Sequence, residues 1–362
     1  KYNLKVSKLS LDFDMDISSQ KIDLRSDTVT LPSPDMLKSI AETDLGDDVF
    51  SEDPTVNALE EKASSITGKE AALIVPSGTM GNLVSILVHC SRGDEVILGH
   101  QAHTFLYEAG GISAFGGIHS RQLKNQDDGT IDISDIKNSI REENVHFPPT
   151  TLICLESTHN RCFGAPLTPN YMKAVRNIAN DNNCKLHLDG ARIFNAAVAL
   201  GLDVRELTKD VDSITFCLSK GLSSPVGSII CGNTDFIKKA RHVRKALGGG
   251  MRQAGVLAKF GEVSLKTMLF QIEKDHKNAQ ILAEGLNNIK SVNIELQKVH
   301  SNIVYFRLNE NETNLSSQLV KIMEEKGILF FEVSPNRYRL VTHYGISSNH
   351  IQTVLDIFNI IL

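Results

Sequence analysis

Several features are missing from this 362-residue chain, and each absence removes a class of function. No two cysteines stand at Cys-x-x-Cys spacing; Cys90, Cys154, Cys162, Cys184, Cys217 and Cys231 are scattered. That pattern is neither a disulfide frame nor a zinc site, and it reads as reduced thiols in a cytosolic-type compartment. No apolar run approaches the roughly 18 residues that a membrane span requires. No Walker loop and no Gly-x-Gly-x-x-Gly follows a strand pattern, so nucleotide folds, and a dehydrogenase with them, are not indicated. Positive charge is not in excess either. The 38 Lys and Arg against 43 Asp and Glu leave a net charge of -5, which argues against nucleic acid or an anionic membrane as partner. Internal repeats and low-complexity tracts are absent as well.

What is present is ordinary globular composition, 41% hydrophobic and 22% charged, in a chain long enough for two domains. Residues 1–21 mix lysines with Asp12, Asp14 and Asp16 and read as a polar extension without the apolar core of a secretory signal. The chain starts at Lys1 without a methionine, which hints at trimming and leaves room for a removed organelle-targeting segment upstream. With that reservation the expected location is cytoplasmic.

From residue 71 to 231 strand-like runs alternate with helical patterns, which predicts a mostly parallel sheet covered on both faces. Asp53-Pro54 predicts a helix start, Val56, Leu59, Ala63 and Ile66 its apolar stripe, and Gly68 its end. The strand Ala71–Val75 then meets a small-residue turn and an apolar helix. Such a junction gathers free N–H groups and a positive dipole, a phosphate site in which Gly78 lets the backbone come close and the Thr79 hydroxyl donates. An ordinary turn would look the same. His103 lies just past the strand at Glu95–Leu98, His159 past the one at Thr151–Leu155, and Asp189 ends the one beginning at Lys185. Arg192 follows three residues later, in a spacing that is usually structural. Lys220 follows the β-branched, aromatic run Ile214–Leu218 and stands directly before Gly221. A strand that delivers a lysine to such a turn can build a Schiff-base lysine, although most lysines after strands are solvated. Thr79, His103, His159, Asp189 and Lys220 all follow strands, and a site at the carboxyl ends of those strands explains the grouping.

Beyond the sheet, Asp235–Leu247 is a basic amphipathic helix expected to present a solvated face. The acidic loop Gly46–Asp53 could suit a hard cation, but it lacks EF-hand spacing, and no metal is assigned. Strand and helix patterns after Ile303 predict a small α+β unit that carries Arg339 in its last strand. The expected division is an N-terminal arm with a large domain over 22–255 and a small domain over 256–362.

Lysine, aspartate, helix-start phosphate turn and stacking histidine are the parts a pyridoxal 5'-phosphate enzyme needs. Lys220 would bind the cofactor and Asp189 would keep its pyridine nitrogen protonated. Gly78 and Thr79 would hold its phosphate, and His103 and Ala191 would cover the two ring faces.

The segments Asp23–Thr30, Pro76–Asn82, His187–Arg192, Cys217–Leu222 and Gly249–Gly255 together resemble the threonine aldolases of the β-eliminating lyase family. The match runs in order from about Ile22 to the final helix. The resemblance implies the α/β fold type I of aspartate aminotransferase: a large domain on a mostly parallel seven-stranded sheet and a small α+β domain. It also implies that Ser26, Arg192 and Arg339 bind the substrate carboxylate and that His159 lies near the substrate hydroxyl. Members are generally homotetramers with sites between subunits, so Arg252 is expected at a neighbour's phosphate. The implied reaction is retro-aldol cleavage of threonine or allo-threonine to glycine and acetaldehyde, a step in threonine catabolism and glycine biosynthesis. The base is left open among His159, His103 and a water. The chain departs where relatives commonly carry Tyr-Gly and this one has Phe50-Ser51. β-Elimination, racemisation and transamination on the same cofactor are the nearest alternatives; a catalytically silent scaffold is more remote.

Overall fold

A computed structural model describes residues 21–309 and 313–362; the extension expected at the N-terminus, Lys21 apart, lies outside the described residues. The strands in chain order are β1 (Ile22–Asp23), β2 (Ala71–Val75), β3 (Glu95–Gly99), β4 (His119–Leu123), β5 (Thr150–Glu156), β6 (Lys185–Asp189), β7 (Ser213–Cys217) and β8 (Ser228–Gly232). After them come β9 (Val292–Asn293), β10 (Ile303–Leu308), β11 (Ile328–Leu329), β12 (Phe331–Ser334) and β13 (Arg337–Val341).

The large sheet has seven strands in the order β2-β8-β7-β6-β5-β3-β4. The pairs from β4 through β7 are parallel, while β8 runs antiparallel to both β7 and β2. Strand β2 therefore points the same way as β7. One consequence decides where function sits: the carboxyl ends of β2, β3, β5, β6 and β7 share one edge. Burial explains the near-continuous apolar strands, since β3 and β7 are buried along their whole length.

The connecting helices are set by local chemistry. Asp53 accepts from the backbone N–H groups of Thr55 and Val56, Pro54 opens the helix Pro54–Thr67, and Gly68 closes it at φ +64°. Val56, Leu59 and Ala63 on its inner face are fully buried.

The small domain is the antiparallel sheet β12-β13-β10-β9 under the helix Ser348–Ile361. Its core is aromatic: Phe306, Phe330, Tyr338 and Phe358 pack together. Ala258, Phe260 and Leu265 of the helix Gly255–Thr267 pack in the large core, as does Ile272 of the helix Leu269–Asn287. Ala279, Leu282, Ala283 and Leu286 of that second helix pack in the small core, so one continuous helix spans both cores. In the N-terminal arm β1 pairs in parallel with β11, and Leu24 is buried in the small core.

The basic helix also departs from expectation. Arg241 binds Asp48 and Glu60, and Arg244 is 2% exposed, held by Asp48 and the Ile74 carbonyl. Those contacts occupy the Asp48 carboxylate, and Asp47 and Asp53 serve as helix caps. The acidic loop is thereby tied to arginines and backbone.

Candidate active site

Lys220 follows β7 in a tight turn: Leu218 donates to the Gly227 carbonyl, Ser224 to Leu218 and Ser223 to Lys220. The turn is pinned by Thr30, whose hydroxyl donates to the Lys220 carbonyl at 3.1 Å. Among the described residues the Lys220 side chain has no hydrogen-bond or ion-pair partner. It opens into a cavity of about 370 Å³ shared with Ser26, His103, Arg192 and Arg339. Tyr107, Asn160, Arg161 and Phe331 line its outer part. Larger clefts of about 600 Å³ lie elsewhere, at the chain reversal near Tyr171 and beside Lys238. Volume does not identify the site; convergent chemistry does.

Behind the cavity runs a chain of hydrogen bonds. Asp189, 3% exposed at the end of β6, accepts from the Ala191 N–H at 3.1 Å and from Asn82 Nδ2 at 2.9 Å. Asn82 Nδ2 also donates to Glu108 Oε1 at 2.8 Å, and that same oxygen meets His103 Nδ1 at 2.8 Å. Carboxylates cannot donate, so the Asn82 amide must present its NH₂ to both, leaving Oδ1 to accept from His187 Nε2 at 3.3 Å. His187 Nδ1 then accepts from Ser213 Oγ at 2.8 Å, which accepts in turn from His89 Nε2 at 2.7 Å. Burial pushes the pKa of both inner imidazoles down to about 3, so each is neutral with one donor and one acceptor.

At the cavity end the direction reverses. Burial opposes charging of His103, but the Glu108 hydrogen bond and the Asp189 and Glu108 charges outweigh it and raise its pKa. Burial likewise raises the Glu108 carboxyl, with Asp189 beside it adding repulsion. The pair therefore keeps a proton between Oε1 and Nδ1 to higher pH than free imidazole would. Glu108 was missed from the sequence; its signal was a glutamate five residues beyond His103, one and a half helical turns on.

The phosphate turn is built by close approach. Ser77 caps the helix Gly78–His89 by accepting from the Met80 N–H. A Cβ at Gly78 would lie 2.8 Å from Cys217 Sγ, and one at Gly81 2.5 Å from Thr215 Cγ2. Only glycines let this helix start sit down on the end of β7. The hydroxyls of Thr215, Ser223 and Ser228 nearby are buried without partners. A helix start with free N–H groups, an unpaired lysine amine and buried hydroxyls lacking acceptors suit the phosphate and aldehyde of pyridoxal phosphate, and Asp189 suits its ring nitrogen.

The carboxylate residues are held differently from one another. Arg192, 6% exposed, is bidentate on Asp27 at 2.6 Å for both contacts and does not pair with Asp189. Burial alone would raise the Asp27 carboxyl, yet Arg192 holds it well below the usual range. Arg339 donates only to neutral oxygens, Asn160 Oδ1 at 2.9 Å and the Arg25 carbonyl at 3.0 Å, and its Nε is buried without a partner. Ser26 lines the cavity, its Oγ accepting from the Thr28 N–H.

Six of the expected residues, Gly78, Thr79, His159, Asp189, Ala191 and Arg252, are not among those that line this cavity. His159 is 1% exposed, pairs through its backbone with Ala165 and packs against Gly129. Among the described residues its ring nitrogens have no hydrogen-bond partner, and Nδ1 lies 3.8 Å from Glu156 Oε1. Thr79 is exposed on the first turn of its helix. Arg252 is also exposed, bound to Asp47 at 3.0 Å and lying 5.9 Å over the Phe50 ring. Ser51, next to Phe50 in the chain, adopts φ +60°, in the left-handed region that favours glycine.

Comparison with known proteins identifies the family and the fold. The sequence model of the family described as Beta-eliminating lyase matches residues 23–309. The chain is 46% identical over 342 residues to low-specificity L-threonine aldolase 1 of Arabidopsis thaliana, covering 94% of this chain and 96% of that protein. It is 42% identical over 333 residues to the low specificity L-threonine aldolase of Escherichia coli K12, covering 92% of this chain and 97% of that protein. The fold is similar to the solved structure of Leishmania major threonine aldolase, with TM-score 0.80 at 18% identity over 94% of this chain and all, 100%, of the other.

Proposed function

Since this chain belongs to the beta-eliminating lyase family, and within it to the low-specificity threonine aldolases, we propose that it is a carbon–carbon lyase acting on L-threonine, L-allo-threonine and related β-hydroxy-α-amino acids. The products are glycine and an aldehyde, acetaldehyde from threonine. The observation that carries this reading is the unpaired Lys220 amine at the carboxyl edge of the sheet, in one cavity with His103 and the unneutralised Arg339.

Lys220, Asp189, Gly78 and Thr79 would hold pyridoxal 5'-phosphate, which would supply an electron sink for the pair released when the Cα–Cβ bond breaks. The chain's own residues do the rest. Arg339 and Ser26 orient the α-carboxylate, and Arg192, already neutralised by Asp27, fixes the arm that carries Ser26. Asp189 keeps negative charge at the end of β6, braced by Asn82 and the Ala191 N–H. His103 lines the cavity with its Nδ1 committed to Glu108, so its Nε2 is the ring atom free for other contacts. We favour His103, or a water it holds, over His159 as the group that takes the hydroxyl proton, because His103 lines the cavity and His159 is not among the lining residues. The exposed apolar residues Leu31, Phe50, Phe105 and Leu106 support assembly into a homotetramer, and the surface position of Arg252 supports its reaching a neighbour's phosphate. Six free, buried cysteines support a reducing, cytoplasmic compartment; no described helix is long and apolar enough to cross a membrane.

The test is a product assay. Wild-type protein loaded with cofactor is expected to release glycine and acetaldehyde from threonine, and Lys220→Ala to lose this turnover. Ammonia and 2-oxobutanoate as the main products would overturn the reading in favour of elimination. Mixing Lys220→Ala with Arg252→Ala subunits tests the shared site: recovered activity in the mixture supports it, and none excludes it.

A further inference from the structure

The cavity holds one guanidinium more than cleavage of threonine needs. Four cationic side chains line it: Lys220, Arg192, Arg339 and Arg161. Lys220 is committed to the cofactor, and Arg192 is neutralised by Asp27. Arg339 rests on neutral oxygens and awaits the α-carboxylate. Arg161 is left over. Its one side-chain hydrogen bond goes to a neutral phenol, Nη1 to Tyr107 Oη at 3.0 Å, and its Nε is buried without a partner. Among the described residues no carboxylate lies within 4.0 Å of its guanidinium nitrogens. Glu332, the carboxylate among the residues lining the cavity, accepts from the Asn336 N–H through Oε1.

The two unneutralised arginines flank Asn160, whose Oδ1 takes Arg339 while Arg161 is its neighbour in the chain. A partly buried guanidinium with unmet donors is costly unless an anion meets it, and a carboxylate meets it bidentately. A substrate with carboxylates at both ends would match both arginines; threonine matches one.

We propose that Arg161, assisted by the Tyr107 hydroxyl, forms a subsite for an anionic β-substituent, and that the protein cleaves L-β-hydroxyaspartate to glycine and glyoxylate. The proposal rests on the aldolase reading above. The bond broken is Cα–Cβ; the hydroxyl oxygen becomes the aldehyde oxygen of glyoxylate. The hydroxyl proton is lost to the base and one proton returns to Cα of glycine, so no oxidant or second reactant is required.

The experiment compares kcat/KM of the cofactor-loaded protein for three substrates: L-threonine, L-β-hydroxyaspartate and the uncharged isostere L-β-hydroxyasparagine, each as both β-diastereomers. A charge-assisted contact predicts that the acid exceeds the amide by about tenfold to a hundredfold in the wild type. Arg161→Gln brings that ratio near one, and Arg161→Lys restores part of it. Cleavage of threonine with equal rates for acid and amide overturns the subsite and leaves the aldolase reading standing. No cleavage of any of the three overturns both. A ratio unmoved by Arg161→Gln, or a changed oligomeric mass by light scattering in place of a changed ratio, also overturns the proposal. Should Arg161→Gln fail to fold, the wild-type ratio and Arg161→Lys decide.

Discussion

Glu108→Gln separates the geometry of the hydrogen-bonded chain from its charge. Glu108 Oε1 receives both Asn82 and His103, while Oε2 is buried without a partner. A glutamine fits the same space, keeps an oxygen for both donors and loses the negative charge. A hydrogen bond to a charged group is worth about 1.5–3 kcal/mol against about 1 for a neutral one. Removing the charge therefore lowers the His103 pKa. The sign follows from the wild type, where Glu108 holds His103 above its ordinary value against burial. The proton that the pair shares is lost at lower pH in the variant. The assay is an NMR titration of ¹³C-labelled histidine rings, with His103 assigned through His103→Asn, alongside the cofactor dissociation constant. Glu108→Gln should shift the His103 midpoint down and keep cofactor affinity within a few-fold. Glu108→Ala, which also strips support from Asn82 and hence Asp189, should weaken cofactor binding further. An unmoved midpoint in Glu108→Gln would refute the reasoning, as would a midpoint that moves up.

Two further outcomes follow from buried carboxyls. Asp27→Asn leaves Arg192 as an unpaired buried charge and is expected to cost about 3–5 kcal/mol, read as a lower denaturation midpoint at neutral pH. Because Asp27 titrates far below its unfolded value, that stabilisation is present above about pH 4 and is lost on strong acidification, so the gap between variant and wild type should close there. Asp275, on the helix that joins the domains, behaves oppositely: burial raises its pKa to about 7 and its Oδ2 has no partner. The unfolded chain ionises it near pH 4 and the folded one does not, so wild-type stability falls as pH rises from about 4 to 7, by at most about 4 kcal/mol. Asp275→Asn should therefore gain on the wild type at pH 8 relative to pH 5; a constant difference in thermal midpoint would sink this account.

The legible part of the molecule was whatever periodicity and caps determine locally. The strand Ala71–Val75 and the helix opened at Asp53-Pro54 and closed by Gly68 are each found at the residues their patterns imply. Alternation of strand and helix implied a parallel sheet, and a parallel sheet gathers Gly78, His103, Asp189 and Lys220 on one edge without any knowledge of their contacts. Long-range pairing was not legible. Nothing in Asp27 announces Arg192, 165 residues away, and nothing in the basic helix announces that Arg244 turns inward to Asp48. His159 shows the same limit: it follows β5 as its pattern implies, but neither its burial nor its backbone pairing with Ala165 could be read from the sequence. Position along a strand selects the sheet edge; only the tertiary partners select which side chains face the ligand.

Those partners also explain why the site depends on both domains. Residues 22–24 are anchored in the small domain through β11 and its core, whereas Asp27 is clamped to Arg192 and Thr30 to the carbonyl of Lys220 in the large one. Ser26 lies between these anchors. Arg339 in turn comes from β13 and holds Asn160 of the large domain and the carbonyl of Arg25 on the arm. The arm is thus a strap whose two ends are fixed in different domains, with Ser26 between them. A shift of one domain against the other would move Ser26 and Arg339 relative to Lys220, so the distance between carboxylate and amine is set by how the domains close. Precision at the reacting bond follows from that closure, because a misplacement of about 1 Å can cost on the order of a hundredfold in rate.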